Sequence, residues 1–217
     1  MVVTLWALWA ARRKAIHEHI YQSPFSVHVF VQSYINELKT VQSGTMRQPG
    51  AQVQRPTGWI APPTGLTKIN VDAAVGRGRK HGVVAAITRD SSGQFLGASA
   101  VVFGGISDPA TLECMAVREA LSLADDLNVA DIQVASDSKV VVADIREKNP
   151  TEYGAIIHEI IEHSSSFHYC NFCHEFRSSN IEAHKLARHA LSLPVGRHVW
   201  LGQPDGLPFV HVNIVTL

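Results

Sequence analysis

From Lys68 to Ala74 the chain alternates, with Ile69, Val71 and Ala73 apolar and Lys68, Asn70 and Asp72 polar. Side chains of a strand point to opposite faces with period two, so the stretch reads as a strand with one buried face. The other face carries a single carboxylate, Asp72. Two more acids occupy comparable positions further on. Glu113 sits in the apolar, helix-like run Leu112–Leu121, and Asp137 follows the buried-looking strand Ile132–Ser136. Three carboxylates on three apolar elements can converge when those elements pack.

With 217 residues, 46% of them hydrophobic, the chain can bury one full core with length to spare, so one main domain is expected. Three cysteines, an odd number, argue against a disulfide framework and for a reducing compartment. The charge is uneven. Residues 1–57 hold six Lys/Arg and two Asp/Glu, whereas residues 58–195 hold twelve and sixteen. A domain that binds nucleic acid by phosphate attraction alone should be basic, so any such contact here depends on bound cations.

The apolar start, Val2–Ala11, falls well short of the roughly 20 residues of a membrane span. Its basic residues, Arg12, Arg13 and Lys14, follow the apolar run instead of preceding it as in a secretory signal. No membrane association and a nuclear or cytoplasmic place are expected. An organelle-targeting helix is the alternative, since no acid occurs before Glu18.

Taken in order, residues 1–42 read as a helical segment, with a helix over 4–22 and a second apolar-periodic stretch over 26–39. Residues 43–57 are rich in Gly, Gln, Pro and Thr and read as a linker. A domain follows over 58–195, then a tail over 196–217. The domain opens as an antiparallel meander: the Asp72 strand, a glycine-rich basic turn from Gly76 to Gly82, Val83–Thr88, a turn at Asp90–Gly93, and Phe95–Phe103. Asp108-Pro109 then marks a helix start, with Asp as N-cap and proline at the first position. Helices are also expected from Ser138 to about Arg146 and over 153–163, with a strand over Phe167–Phe176. Ser179-Asn180-Ile181-Glu182 has the form of a capping box before the last helix.

Asn70-Val71-Asp72-Ala73-Ala74, the Glu113 helix, Ala135-Ser136-Asp137-Ser138 and Arg177-Ser178-Ser179-Asn180-Ile181-Glu182-Ala183-His184-Lys185-Leu186-Ala187 together resemble the type 1 ribonuclease H family. The branch they resemble is the reverse-transcriptase-associated, retroelement-like form of plant genomes. The ordered set is specific, although no single motif is. Leu5–Lys14 resembles the segment preceding this domain in retroelement polyproteins.

The resemblance implies an α/β ribonuclease H-like fold with a five-stranded mixed sheet flanked by helices. It implies hydrolysis of the RNA strand of RNA–DNA hybrids, by a monomer, with two Mg²⁺ ions and Mn²⁺ as substitute. Magnesium is a hard cation that takes oxygen ligands, which suits carboxylates. Asp72 would bridge both ions, with Glu113 and Asp137 completing the site. The family's fourth acid aligns with His184, and a neutral imidazole supplies no negative charge, so Mg²⁺ should be held less well there. The alternative function is a catalytically inactive nucleic-acid-binding or interaction module that keeps the fold. His174 aligns with a histidine that assists product release in relatives. Arg77, Arg79, Lys80, Ser138 and Asn180 are candidate nucleic-acid contacts.

Other constellations point to less. Cys170, Cys173 and His174 look like half a zinc site, but cysteines three apart in a strand face opposite ways. Residues 139–165, where some relatives insert a basic protrusion, hold Arg146 and Lys148 among five acids, so weak intrinsic hybrid binding is predicted.

Overall fold

The computed structural model describes residues 2–17, 24, 27–28, 31, 58–76, 78 and 81–210. Two compact units divide the chain, residues 1–54 and 55–217. In the first, helix α1 spans Val2–His17. Ala7 is buried with Val27 and Val31, and Ala11 packs against them. Leu5, Leu8, Trp9 and Ile16 are exposed on the same helix. The rest of the expected second segment and the whole of the 43–57 linker lie outside the described residues, as do Arg77, Arg79 and Lys80.

The second unit is built on one mixed sheet. Its strands are β1 (Thr67–Val75), β2 (His81–Arg89), β3 (Phe95–Gly104), β4 (Asp131–Ser136), β5 (Tyr169–His174) and β6 (Gly196–Leu201). Its helices are α2 (Pro109–Asp126), α3 (Lys139–Glu147), α4 (Gly154–Ser164) and α5 (Ile181–Ala190). The spatial order is β5-β4-β1-β2-β3-β6. The expectation of five strands is corrected to six: Gly196–Leu201, read as tail, pairs antiparallel with β3 from Gly97↔Leu201 to Val102↔Gly196. Without it the row of N–H and C=O groups along β3 would be an open edge.

Both faces of the sheet are covered, which is why β2 is buried almost end to end. Val84 and Ala86 point into one core with Ile69, Val71, Ile132, Val134 and residues of α2, α3 and α4. Val83, Ala85 and Ile87 point the other way, into a core with Leu186, Ala187 and Ala190 of α5 and with Leu207 and Val210. The α2 start follows the sequence signal: Asp108 is the N-cap, its Oδ2 accepts the Thr111 amide at 2.8 Å, and Pro109 begins the helix.

Alternation along β1 turns Lys68 and Asn70 away from the α2 core. Both are nonetheless buried. Lys68 Nζ donates to the Ile60 carbonyl at 2.6 Å and ion-pairs with Glu175, whose second oxygen is 3.5 Å from Asn70 Nδ2. Trp59 Nε1 donates to Asn70 Oδ1 at 3.0 Å. This network ties the segment before β1 to the sheet, and a buried cation is tolerable only because the carboxylate answers it.

Candidate active site

Beside β1 the sheet changes character, with β2 antiparallel on one side and β4 parallel on the other. The β1–β4 ladder ends at Val71↔Ser136. Asp72 and Asp137 each follow that last pair by one residue, so both carboxylates emerge where two parallel strands part. Crevices at the carboxyl ends of parallel strands are favoured places for sites in such sheets.

Glu113 reaches them from the N-terminal part of α2, just past its first turn. A Cβ at Gly82 would lie 2.5 Å from Leu112 Cδ1 and 2.6 Å from the Ile106 carbonyl oxygen, so only glycine lets α2 begin this close to β2. One oxygen each of Asp72, Glu113 and Asp137 then lie within 4.8 Å of one another. Oxygens around a Mg²⁺ ion at bonding distance stand about 3–4 Å apart, so small rotations of these side chains would close the set on one ion. The donors fit a hard divalent cation: all are carboxylates, and Glu113 Oε2 is buried without a hydrogen-bond partner among the described residues.

Crowding the acids shifts their ionisation. Burial, followed by the charges of Asp72 and Asp137, pushes the Glu113 carboxyl up to about 8. Burial also raises Asp72, with the Asp137 charge adding to it and a hydrogen bond to His184 opposing it. Without a cation, the cluster favours a proton in place of its full charge.

The fourth position is set from α5. The capping box expected from sequence is not formed, because Arg177–Ser179 makes a single 3-10 turn and the helix starts later, with Asn180 as N-cap and no side-chain capping bond. Ser179 Oγ is buried without a hydrogen-bond partner among the described residues, and Glu182 instead forms two bonds to Arg89 of β2, at 2.9 and 2.8 Å. Asn180 is 1% exposed and its Nδ2 donates to the Val71 carbonyl at 2.7 Å. In this position it braces α5 against β1 next to Asp72. Held at both points, the helix delivers His184, whose Nδ1 donates to Asp72 Oδ2 at 2.8 Å.

Arg177 is a residue that sequence reading missed. Its exposed guanidinium places Nη2 3.1 Å from His184 Nε2 and 3.3 Å from Nδ1, and its charge acts on Glu113 to lower that carboxyl's pKa. The available signal was a cation seven positions before His184, across a turn whose form the sequence did not disclose.

The remaining candidates lie nearby. Ser138 caps α3, its Oγ accepting the Val141 amide at 3.4 Å. His174 ends β5 opposite Ser136, exposed and edge-on to Phe176 with ring centroids 5.6 Å apart. Cys170 and Cys173 are free thiols, and both are raised by burial, Cys170 to about 12. Among the described residues no helix is long and apolar enough to cross a membrane.

Residues 70–190 match a family described as reverse transcriptase-like. An Arabidopsis thaliana protein named for ribonuclease H is 28% identical over 187 residues, covering 82% of this chain. The chain spans only 29% of that relative's length. Among solved structures, RNase H1 from Halobacterium salinarum superimposes with a TM-score of 0.55 at 22% identity, covering 58% of this chain and 98% of its own. The N-terminal RNase H domain of a Mycobacterium tuberculosis protein gives 0.53 at 20% identity, covering 58% and 92%. LC11-RNase H1, from compost and in complex with an RNA/DNA hybrid, gives 0.52 at 19% identity, covering 58% and 96%. These likenesses show the fold.

Proposed function

The chain belongs to the reverse transcriptase-like family and has a ribonuclease H fold, and from that premise we propose that it hydrolyses the RNA strand of RNA–DNA hybrids with divalent metal held by Asp72, Glu113 and Asp137. The observation that carries this reading is the convergence of three carboxylates from β1, α2 and the end of β4, with two of them raised by burial and mutual repulsion. A fold does not keep three acids in such a place cheaply unless a cation answers them.

Asp72, Glu113 and Asp137 would hold a divalent ion such as Mg²⁺, which would supply positive charge to activate the attacking water and stabilise the leaving 3′ oxygen. The protein's part is placement. The Val71–Ser136 pair fixes two acids, Gly82 lets the third approach, and Asn180 and Arg89 hold α5 so that His184 fixes the Asp72 rotamer. Positioning reacting groups in advance removes much of a barrier that is otherwise entropic. Ser138 and His174, at the two strand ends beside Asp137, are proposed to face the hybrid and the departing product. With two ions, as the resemblance implies, Asp72 would serve both, and the imidazole of His184 would hold the second less well than a carboxylate.

The purified chain, its Asp72→Asn variant and its His184→Asp variant should be compared on an end-labelled hybrid with Mg²⁺ and with Mn²⁺. Wild type is expected to cleave well above Asp72→Asn, and His184→Asp to gain most with Mg²⁺. Equal background rates for wild type and Asp72→Asn would leave the inactive hybrid-binding module as the reading.

A further inference from the structure

Between the segment before β1 and the start of α5 lies a cleft of about 250 Å³. None of Asp72, Glu113, Asp137, Arg177 and His184 lines it, so it is a second cavity and not a branch of the acidic cluster. We propose that this cleft binds one unpaired nucleobase carrying an exocyclic amino group, with the attached phosphate held at the mouth by Lys185.

The walls define the guest. Trp59 and Phe209 contribute aromatic rings, and Ile87 and Ala183 add apolar surface. Trp59 is a fixed wall, because its Nε1 donates to Asn70 Oδ1 at 3.0 Å and Lys68 Nζ stands 5.5 Å from its ring centroid. Flat, apolar faces suit such a place, since bases stack on aromatic side chains whatever their sequence.

Two polar groups add a requirement at the edge. Ser179 and Asn180 line the cleft, and Ser179 Oγ and Asn180 Oδ1 are buried without a hydrogen-bond partner among the described residues. The Asn180 amide cannot turn to change this, because its Nδ2 is committed to the Val71 carbonyl at 2.7 Å. Oδ1 is therefore left as an acceptor that asks for an N–H, and an unmet acceptor in a protein interior is costly. An amino group on the base supplies that N–H, and a carbonyl in the same place does not.

Charge decides the rest. Arg89 also lines the cleft, but the two bonds from its guanidinium to Glu182 make that pair neutral. Lys185 lines the cleft, is exposed and forms no ion pair among the described residues, so the mouth is positive. The N-terminal end of α5, whose N-cap Asn180 makes no side-chain capping bond, adds to it.

The test uses the full chain in EDTA, where hydrolysis is silent and the acidic cluster plays no part. Calorimetric titration with AMP and CMP should each show one saturable site. IMP and UMP, which carry a carbonyl in place of the amino group, should bind about tenfold more weakly than their counterparts. Lys185→Ala, an exposed change, should weaken AMP about tenfold and leave adenosine unchanged, while Phe209→Leu should weaken both. Anisotropy with a hybrid bearing a single-stranded dA overhang, against a blunt one, identifies the source of the base. Tighter binding that AMP competes away assigns it to a nucleic-acid strand, and equal binding assigns it to free nucleotide; either result supports the site. No saturable AMP or CMP binding, or equal affinities across each amino and carbonyl pair, would overturn the inference. A chain that cleaves hybrid in Mg²⁺ but binds no nucleotide in EDTA would lose the cleft alone, whereas one that binds AMP but cleaves nothing would keep the cleft and lose the hydrolase.

Discussion

His184 Nδ1 lies 2.8 Å from Asp72 Oδ2 across 112 residues of chain. The contact depends on Asn180 fastening α5 to the Val71 carbonyl and on Glu182 being drawn to Arg89, so the imidazole arrives on a braced helix. It occupies half of a carboxylate that family resemblance would assign wholly to metal.

Metal-free protein should lose stability as pH rises. The Glu113 carboxyl moves from an ordinary 4.5 to about 8 in the folded chain, so the native state binds more protons than the unfolded state between those values. The stabilisation is complete below about 4.5 and is lost as pH passes through about 8. Thermal melts in EDTA should therefore fall over this interval, and Mn²⁺ should raise the midpoint most at the alkaline end. Glu113→Gln should flatten the EDTA curve and abolish the metal effect; a variant that melts with the wild-type pH dependence contradicts the assignment.

Gly82→Ala should disturb the site from a distance. The added methyl meets the Ile106 carbonyl as well as the flexible Leu112 side chain, so α2 must move away from β2. Overpacking of this kind costs about 1–3 kcal/mol, readable in urea unfolding. Because Glu113 follows Leu112, Mn²⁺ affinity should fall together with stability. Unchanged affinity in a destabilised variant would mean that α2 does not set the site.

Lys68→Met should be far worse alone than in company. Lys68 is fully buried and Glu175 nearly so, and removing one partner leaves the other charge unanswered at a cost of about 3–5 kcal/mol. The double variant Lys68→Met/Glu175→Leu should recover most of that loss. Denaturant midpoints for the full cycle measure the coupling, and additive single effects would show the pair to be independent.

Ending the chain at residue 195 should damage the fold. It removes the β6 partner of β3 along with Leu207 and Val210, which are buried with α5. Exposed strand edges invite association, so size-exclusion chromatography should show oligomers or aggregate. A monomeric fragment with the parent's melting temperature would show β6 to be dispensable.

Much of this was legible in local pattern. Alternation around Asp72, the Asp108-Pro109 start of α2 and the buried run before Asp137 each express a rule that acts over a few residues, and the structure has those elements in place. The sixth strand was not legible, because an exposed edge strand such as Gly196–Leu201 has little hydrophobic alternation and is defined by its partner. The capping box failed for a similar reason. Its local bonds were available, but Arg89, 93 residues away in sequence, offered Glu182 a buried bidentate partner.

By itself the sequence determined which residues could supply charge and which elements would carry them, since hydrophobic period and caps are properties of neighbouring residues. Only the tertiary structure decided that Asp72, Glu113 and Asp137 share one crevice, that His184 leans on the first of them, and that Arg177 stands behind it. Those relations join separate elements at distances that packing alone fixes, and no local pattern encodes them.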